Sequence, residues 1–360
     1  MRRKSFALRN RFIKQNPVAI GRLCEMMQTS PSGRQEVLDW ATEFADLLED
    51  NLLNRISKRD LAQILAGIVS YRNTGVTPQV SHLSLIKAYE NSSGLMQELL
   101  HKILFASYTD MGKSIKSEFF GEVSAKDTDA ILAELDEQGY AVLPERLGEH
   151  WVDALLSEAG KLHYKLYNID PDERETDNRK IDPLKPPKCV IAYANTADLE
   201  SSSLLRSFSN DPWLVHLASR HMNTAVQPID AQFWYSFPSK EASGNVAQLF
   251  HYDLDTLRWL KVFVYLTDVG AENGPHEFVP ASHKPGSKPQ PLTVRDYARI
   301  DDHEIDKYCH QGRKTICGKR GTVILGDTRC FHKGKVVNDK FRLIFSPIYA
   351  PSRIGYFHGK

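Results

Sequence analysis

The chain lacks most of what would mark an exported, membrane-embedded or nucleic-acid-binding protein. Its 360 residues hold five cysteines, Cys24, Cys189, Cys309, Cys317 and Cys330. The count is odd and no pair has CxxC spacing, which argues against a disulfide framework and for reduced thiols in a cytoplasmic protein. No apolar run approaches the roughly 18 residues that a membrane helix needs, so no span is expected. The basic start "MRRKSFALRNRFIKQN" has no apolar stretch behind it and does not read as a secretory signal. It reads as a solvated arm, with contact to an anionic surface as the alternative. A formal net charge of +1 gives no global attraction to nucleic acid. There is no internal repeat and no low-complexity tract. What is present is ordinary for a globular protein: 41% hydrophobic and 25% charged residues, in a length that suits one large domain or two moderate ones.

Two regions differ in character. Residues 1–120 read as a helical accessory region. "SGRQEVLDWATEFADLLEDNLLNRI" places Val37, Trp40, Phe44, Leu47 and Leu48 at three- and four-residue intervals. "SKRDLAQILAGIVSYRNTG" follows, with Ser57 as N-cap and Gly75 as stop, and "SSGLMQELLHKILFASYTDMG" makes a further helix. Residues 121–360 read as a second domain. It opens with a helix, Gly139 and a short strand from Tyr140 to Leu143, then an amphipathic helix over "EHWVDALLSEAGKLHYKLY". After a long polar loop, 168–188, short β-branched and aromatic segments dominate: "CVIAYA", "VQPIDAQFWYSF", "VAQLFHYD", "RWLKVFVYLTDV", "HEFVPAS", "KTICG", "GTVILGD", "RCFHKG" and "FRLIFSPIYA". Each is bounded by Gly, Pro, Asn or Asp, and no long helix is expected between them. Such a series predicts an antiparallel sandwich or barrel of jelly-roll type.

"LFHYDLDT" carries the chemistry. With 13 His and 45 acidic residues, about one or two His-x-acid triplets are expected by chance, so the triplet means nothing alone. On a strand, however, His251 and Asp253 share a face while Tyr252 points the other way. His332, after the Gly-bounded "GTVILGD" strand, is the candidate third ligand. Two imidazoles and one carboxylate on one face of a metal leave the other face open, which suits non-haem Fe(II). Arg342, among Phe341, Leu343, Ile344 and Phe345, could hold a carboxylate by two parallel hydrogen bonds, as an α-keto acid chelating that iron would require. Cys309, Cys317, His303 and His310 cluster in sequence, but their spacings fit no usual zinc pattern.

Taken together, "HYDLDTLRWLKVFVYLTDVGAENGPHEFVPASHK" and "GTVILGDTRCFHKG" resemble the phytanoyl-CoA dioxygenase family of Fe(II)/2-oxoglutarate oxygenases. The "DEQGYAVLPERL" segment resembles the start of that family's domain. The resemblance covers about residues 130–350 and leaves residues 1–120 without a counterpart. It implies an α+β chain with a double-stranded β-helix core, Fe(II) on His251, Asp253 and His332, 2-oxoglutarate anchored by Arg342, and dioxygen as the second co-substrate. Val264 and Leu266, as inward residues of "VFVYLT", and Gln248 are expected to line the co-substrate pocket. Ser282 and His283 are expected to hold a turn near the metal. Gly334 stands where some relatives carry a hydroxyl that touches the co-substrate. The implied reaction hydroxylates a small-molecule metabolite and decarboxylates 2-oxoglutarate to succinate. The competing readings are a non-catalytic jelly-roll binding module with a vestigial or structural metal site, and a cupin-like enzyme using Zn or Mn without 2-oxoglutarate. Nothing in the sequence names the substrate.

Overall fold

A computed structural model describes residues 56–109, 112, 114–169, 178–242, 247–293 and 299–355. The basic arm, Cys24 and the helix expected before Ser57 lie outside the described residues. Among the described residues, no helix is long and apolar enough to cross a membrane. Two compact units form. Residues 56–107, 254–258 and 352–355 belong to the first, and 108–253 with 259–351 to the second.

The first unit is helical: α1 (Lys58–Thr74), α2 (Gln79–Ser92) and α3 (Leu95–Leu104). The caps act as the sequence suggests. Ser57 accepts a hydrogen bond from the Asp60 N–H at 3.0 Å, and Gly75 ends α1 in the left-handed region at φ 73°. Leu61, Ile64, Ile68, Leu85, Ala88, Met96 and Leu100 make its core, joined by Leu257 and Ile354. Two short segments from late in the chain thus serve this unit, while residues 108–120, read above as part of the helical region, belong to the second.

The second unit opens with a hairpin, β1 (Ile115–Ser117) and β2 (Gly121–Val123), then α4 (Ala125–Gln138), β3 (Tyr140–Val142), α5 (Glu149–Ala159), β4 (Tyr164–Ile169) and β5 (Cys189–Ala194). The helix expected to run through Tyr167 stops at Gly160; beyond it Tyr164 and Leu166 alternate with exposed neighbours and form β4. Three helices follow, α6 (Thr196–Ser201), α7 (Ser203–Ser209) and α8 (Pro212–Met222). The expectation of strands with no long helix between them after residue 189 is therefore corrected at α8, which spans eleven residues. The local reason is Asp211, which caps α8 by accepting from the Trp213 and Leu214 N–H groups, with Pro212 in the first turn. The remaining elements are β6 (Gln227–Ser236), β7 (Leu260–Tyr265), β8 (His276–Phe278), α9 (Gln290–Thr293), α10 (Asp302–Tyr308), β9 (Lys314–Ile316), β10 (Val323–Gly326), β11 (His332–Gly334) and β12 (Arg342–Ala350).

The strands form a seven-stranded antiparallel sheet, β3-β10-β7-β12-β6-β5-β4, and a three-stranded one, β11-β8-β9. This is the double-stranded β-helix core. One face of the large sheet packs on the helices. Leu260, Val262 and Val264 of β7, Val323 and Leu325 of β10, and Leu343 and Phe345 of β12 meet Leu155, Phe208, Leu214 and Leu217 there. Its other face looks toward the small sheet, with Phe263, Tyr265, Ile324, Ile344 and Trp234 meeting Phe278 and Ile316. Both faces of the central strands are buried, which is why they read as continuous apolar runs.

Gly139, between α4 and β3, has φ 81°, and a Cβ there would land on Cys330 Sγ and His283 Nδ1. Both neighbours are buried, and an L side chain is strained in that backbone region. Gly139→Ala is expected to destabilise the second unit by about 1–3 kcal/mol, read as a lower denaturant midpoint; an unchanged midpoint would contradict this packing.

Candidate metal centre

"AQLFHYD", residues 247–253, is not a continuous strand. It makes two isolated antiparallel bridges, Phe250 with Ile300 and His251 with His332. In the second bridge the His251 N–H donates to the His332 carbonyl at 3.0 Å, and the His332 N–H donates back at 2.8 Å. The two imidazoles therefore lie on one face, with ring centroids 4.3 Å apart. Each Nδ1 sits 2.9 Å from a backbone carbonyl, that of Leu249 for His251 and that of Cys330 for His332. A carbonyl only accepts, so Nδ1 carries the proton and Nε2 keeps its lone pair. Burial keeps both pKa values below the ordinary histidine range, against the Asp253 carboxylate, which raises each. Two neutral imidazoles with outward Nε2 lone pairs are what a metal requires.

Asp253 completes the group. Its N–H donates to the Thr328 carbonyl at 2.8 Å, and the Thr328 hydroxyl in turn accepts from the Trp259 indole at 2.7 Å. Oδ1 lies 3.8 Å from His251 Nε2, and Oδ2 lies 3.6 Å from His332 Nε2. One donor atom from each of the three residues falls within 4.8 Å of the others, and all three residues are buried. Among the described residues no second such group of His, Cys, Asp or Glu occurs. Burial alone would raise the Asp253 pKa; Lys261, followed by His332 and His251, outweighs it and holds the carboxyl below its ordinary range.

Lys261 was not anticipated from the sequence. Its Nζ is 2.7 Å from Asp253 Oδ2. The signal was a lone charge inside the apolar strand "LKVFVY". Lys261, Phe263 and Tyr265 share one face of β7, and that face looks toward the metal centre. Val264 and Leu266, expected to line the pocket, lie instead in the cluster on the helical side. A strand buried on both faces gives no polar alternation from which to choose between them. Gln248 is buried three residues before His251.

Arg342 starts β12 and is 4% exposed. Its Nη2 donates to Ser236 Oγ at 3.1 Å, and its Nη1 donates to the Gly274 carbonyl in the "ENGP" turn. The buried Nε has no acceptor. Among the described residues no carboxylate pairs with this guanidinium, and burial presses its pKa below the ordinary value. A buried cation with an unused donor is a cradle for an anion. Gly334 makes room for it: a Cβ there would stand 2.9 Å from Nη2 and 3.1 Å from Nη1 of Arg342. Tyr265 braces the same region, its hydroxyl donating to the Ile316 carbonyl at 3.1 Å and accepting from the His276 N–H at 3.0 Å. Ser282 holds a turn, accepting from the Phe331 N–H at 2.8 Å and donating to the Val279 carbonyl at 2.7 Å.

Residues 135–343 match the sequence profile of the phytanoyl-CoA dioxygenase (PhyH) family. The chain belongs to this family. PhyH proteins use Fe(II), 2-oxoglutarate and dioxygen, and these are the cofactors of this chain; the two imidazoles, the carboxylate and the anion cradle fit them. No curated protein matches the chain in sequence. Among solved structures, the non-haem α-ketoglutarate-dependent epimerase SnoN from nogalamycin biosynthesis superposes with a TM-score of 0.49 at 20% identity, covering 64% of this chain and 87% of SnoN. Iron-bound EctD from S. alaskensis gives 0.46 at 20% identity, covering 71% and 90%. HygX from Streptomyces hygroscopicus, with nickel and 2-oxoglutarate bound, gives 0.45 at 16%, covering 62% and 86%.

The contact between Lys261 and Asp253 has a measurable consequence for the metal-free PhyH site. Lys261→Met leaves a buried carboxylate without its cation, which costs about 3–5 kcal/mol. The metal-free variant is expected to melt well below the wild type, and Mn(II) is expected to raise its melting temperature more than it raises the wild type's. Equal metal-free melting temperatures would contradict the pairing.

Proposed function

We propose that this chain is an Fe(II)- and 2-oxoglutarate-dependent dioxygenase that hydroxylates a small-molecule metabolite, with decarboxylation of 2-oxoglutarate to succinate. The observation that carries the reading is the convergence of His251, Asp253 and His332, with both Nε2 lone pairs turned toward the same point as the carboxylate. In this reading the three residues hold the iron, and residues 108–253 with 259–351 are its catalytic part. Held by these three residues alone, the iron would keep room for the keto acid and for dioxygen. When bound, the iron supplies the oxidising chemistry with dioxygen and the keto acid.

The chain's own residues prepare that chemistry. Arg342 takes the distal carboxylate of 2-oxoglutarate, using the Nε that has no acceptor. Ser236 and the Gly274 carbonyl hold its guanidinium in plane. Gln248 and the Phe263–Tyr265 face of β7 enclose the co-substrate. Lys261 holds one carboxylate oxygen of Asp253, fixing how that ligand is presented. Asp253 also bears on the outcome. A carboxylate at this position fills a site that halogenation would leave open for chloride, which favours hydroxylation.

The test is succinate release by purified protein supplied with Fe(II), 2-oxoglutarate and dioxygen, screened against metabolite pools, with the product sought as a mass gain of one oxygen. His332→Ala is expected to lose iron binding and succinate formation together. Gly334→Ala is expected to keep iron affinity but to weaken 2-oxoglutarate binding by about tenfold, the loss of one charge-assisted hydrogen bond. If the wild type forms no succinate with any pool, the reading fails and a binding module is left. If His332→Ala binds iron as the wild type does, His332 leaves the ligand set.

A further inference from the structure

We infer that Arg299 forms an anion-binding subsite beside the metal centre and that the substrate carries a carboxylate or phosphate group. The inference rests on the oxygenase reading above and deepens it. Its basis is register. Phe250 and Ile300 exchange both backbone hydrogen bonds, at 2.9 and 2.8 Å, in an antiparallel bridge. Residues that follow and precede such a pair stand opposite one another, so Arg299 stands opposite His251 and on its side of the pleat. On its other edge His251 bridges His332. Arg299, His251 and His332 therefore share one face of a three-segment ladder, and Phe250, Ile300 and Lys333 share the other. The second set is visible in contact: Lys333 Nζ lies 4.7 Å from the Phe250 ring centroid, and Ile300 is fully buried.

Arg299 is exposed, so its guanidinium meets a ligand that arrives from solvent. Among the described residues no carboxylate pairs with it.

Formal charge points the same way. Lys261 cancels Asp253, and the 2-oxoglutarate dianion cancels the ferrous ion. Arg342 and Arg299 are then left over, so the loaded site is positive before any substrate enters. A neutral or cationic substrate would leave that charge to solvent alone, whereas an oxyanion placed against Arg299 neutralises it and orients the rest of the molecule toward the metal centre.

The experiment uses the full chain loaded with Mn(II) and saturated with 2-oxoglutarate. The probes are inorganic phosphate, followed by 31P relaxation, and acetate, followed by methyl proton relaxation. The paramagnetic ion relaxes only nuclei held near it. The wild type is expected to give saturable relaxation enhancement with at least one probe, and which probe responds distinguishes a phosphate from a carboxylate substrate. Arg299→Gln is expected to weaken that binding by about tenfold with Mn(II) and 2-oxoglutarate affinities unchanged, and Arg299→Lys to retain most of it. If the wild type binds Mn(II) and 2-oxoglutarate but relaxes neither probe, or if Arg299→Gln relaxes both as the wild type does, the subsite is overturned and the oxygenase reading stands. If Mn(II) or 2-oxoglutarate fails to bind the wild type, the oxygenase reading falls first and the subsite with it.

Discussion

The pair of backbone hydrogen bonds between His251 and His332 is the constraint from which the site follows. A doubly bonded antiparallel pair fixes two residues directly opposite each other, with side chains on the same face. Two residues on, Asp253 reaches the same side, held by its N–H donating to the Thr328 carbonyl. The carbonyls of Leu249 and Cys330 then choose the tautomer of each ring. No loop has to close and no side chain has to be steered over a distance. Two remote stretches of chain need only meet in one register, and the large sheet's burial on both faces supplies the rigidity that keeps them there.

Around this point the charges are arranged in compensating layers. Asp253 is matched by Lys261 at 2.7 Å, so a buried carboxylate persists in the metal-free protein without a solvent partner. Arg342 is matched by nothing but neutral oxygens, and its Nε is left over. Among the described residues, one buried charge is thus satisfied and another is left waiting for an anion. An unmatched buried guanidinium is costly in a structural core and useful in a binding site.

The parts of this arrangement that sequence reasoning reached are those with a short-range period or an unusual residue type. The spacing of His251 and Asp253 is a strand's own repeat. His332 follows the Gly-bounded "GTVILGD" strand, Arg342 stands out as a charge in a segment of apolar and aromatic residues, and Ser57 and Gly75 carry cap signals that depend only on neighbours. What the sequence hid was orientation. Apart from the half-buried Lys261, Leu260 through Leu266 are buried whichever way they point, so Val264 and Leu266 looked as suitable for the pocket as Phe263 and Tyr265. Lys261 was the one residue in that strand whose charge could have set the phase, because a half-buried lysine in an apolar strand must face its carboxylate. Of the three helices between β5 and β6, α6 and α7 span six and seven residues, too few for a helical period to show against the surrounding strands, whereas α8 spans eleven and its Asp211 and Pro212 start signal is legible in the sequence. The contributions of 254–258 and 352–355 to the helical unit are long-range packing choices that no local pattern encodes.

The most direct measurement of the central claim is the visible absorption of anaerobic protein titrated with Fe(II) and then 2-oxoglutarate. If His251, Asp253 and His332 hold one iron with an open face beside Arg342, a weak charge-transfer band appears only when both are present. It saturates at one iron per chain and is lost in Arg342→Met at 2-oxoglutarate concentrations that saturate the wild type. A protein that binds Fe(II) but develops no band with 2-oxoglutarate would contradict the account.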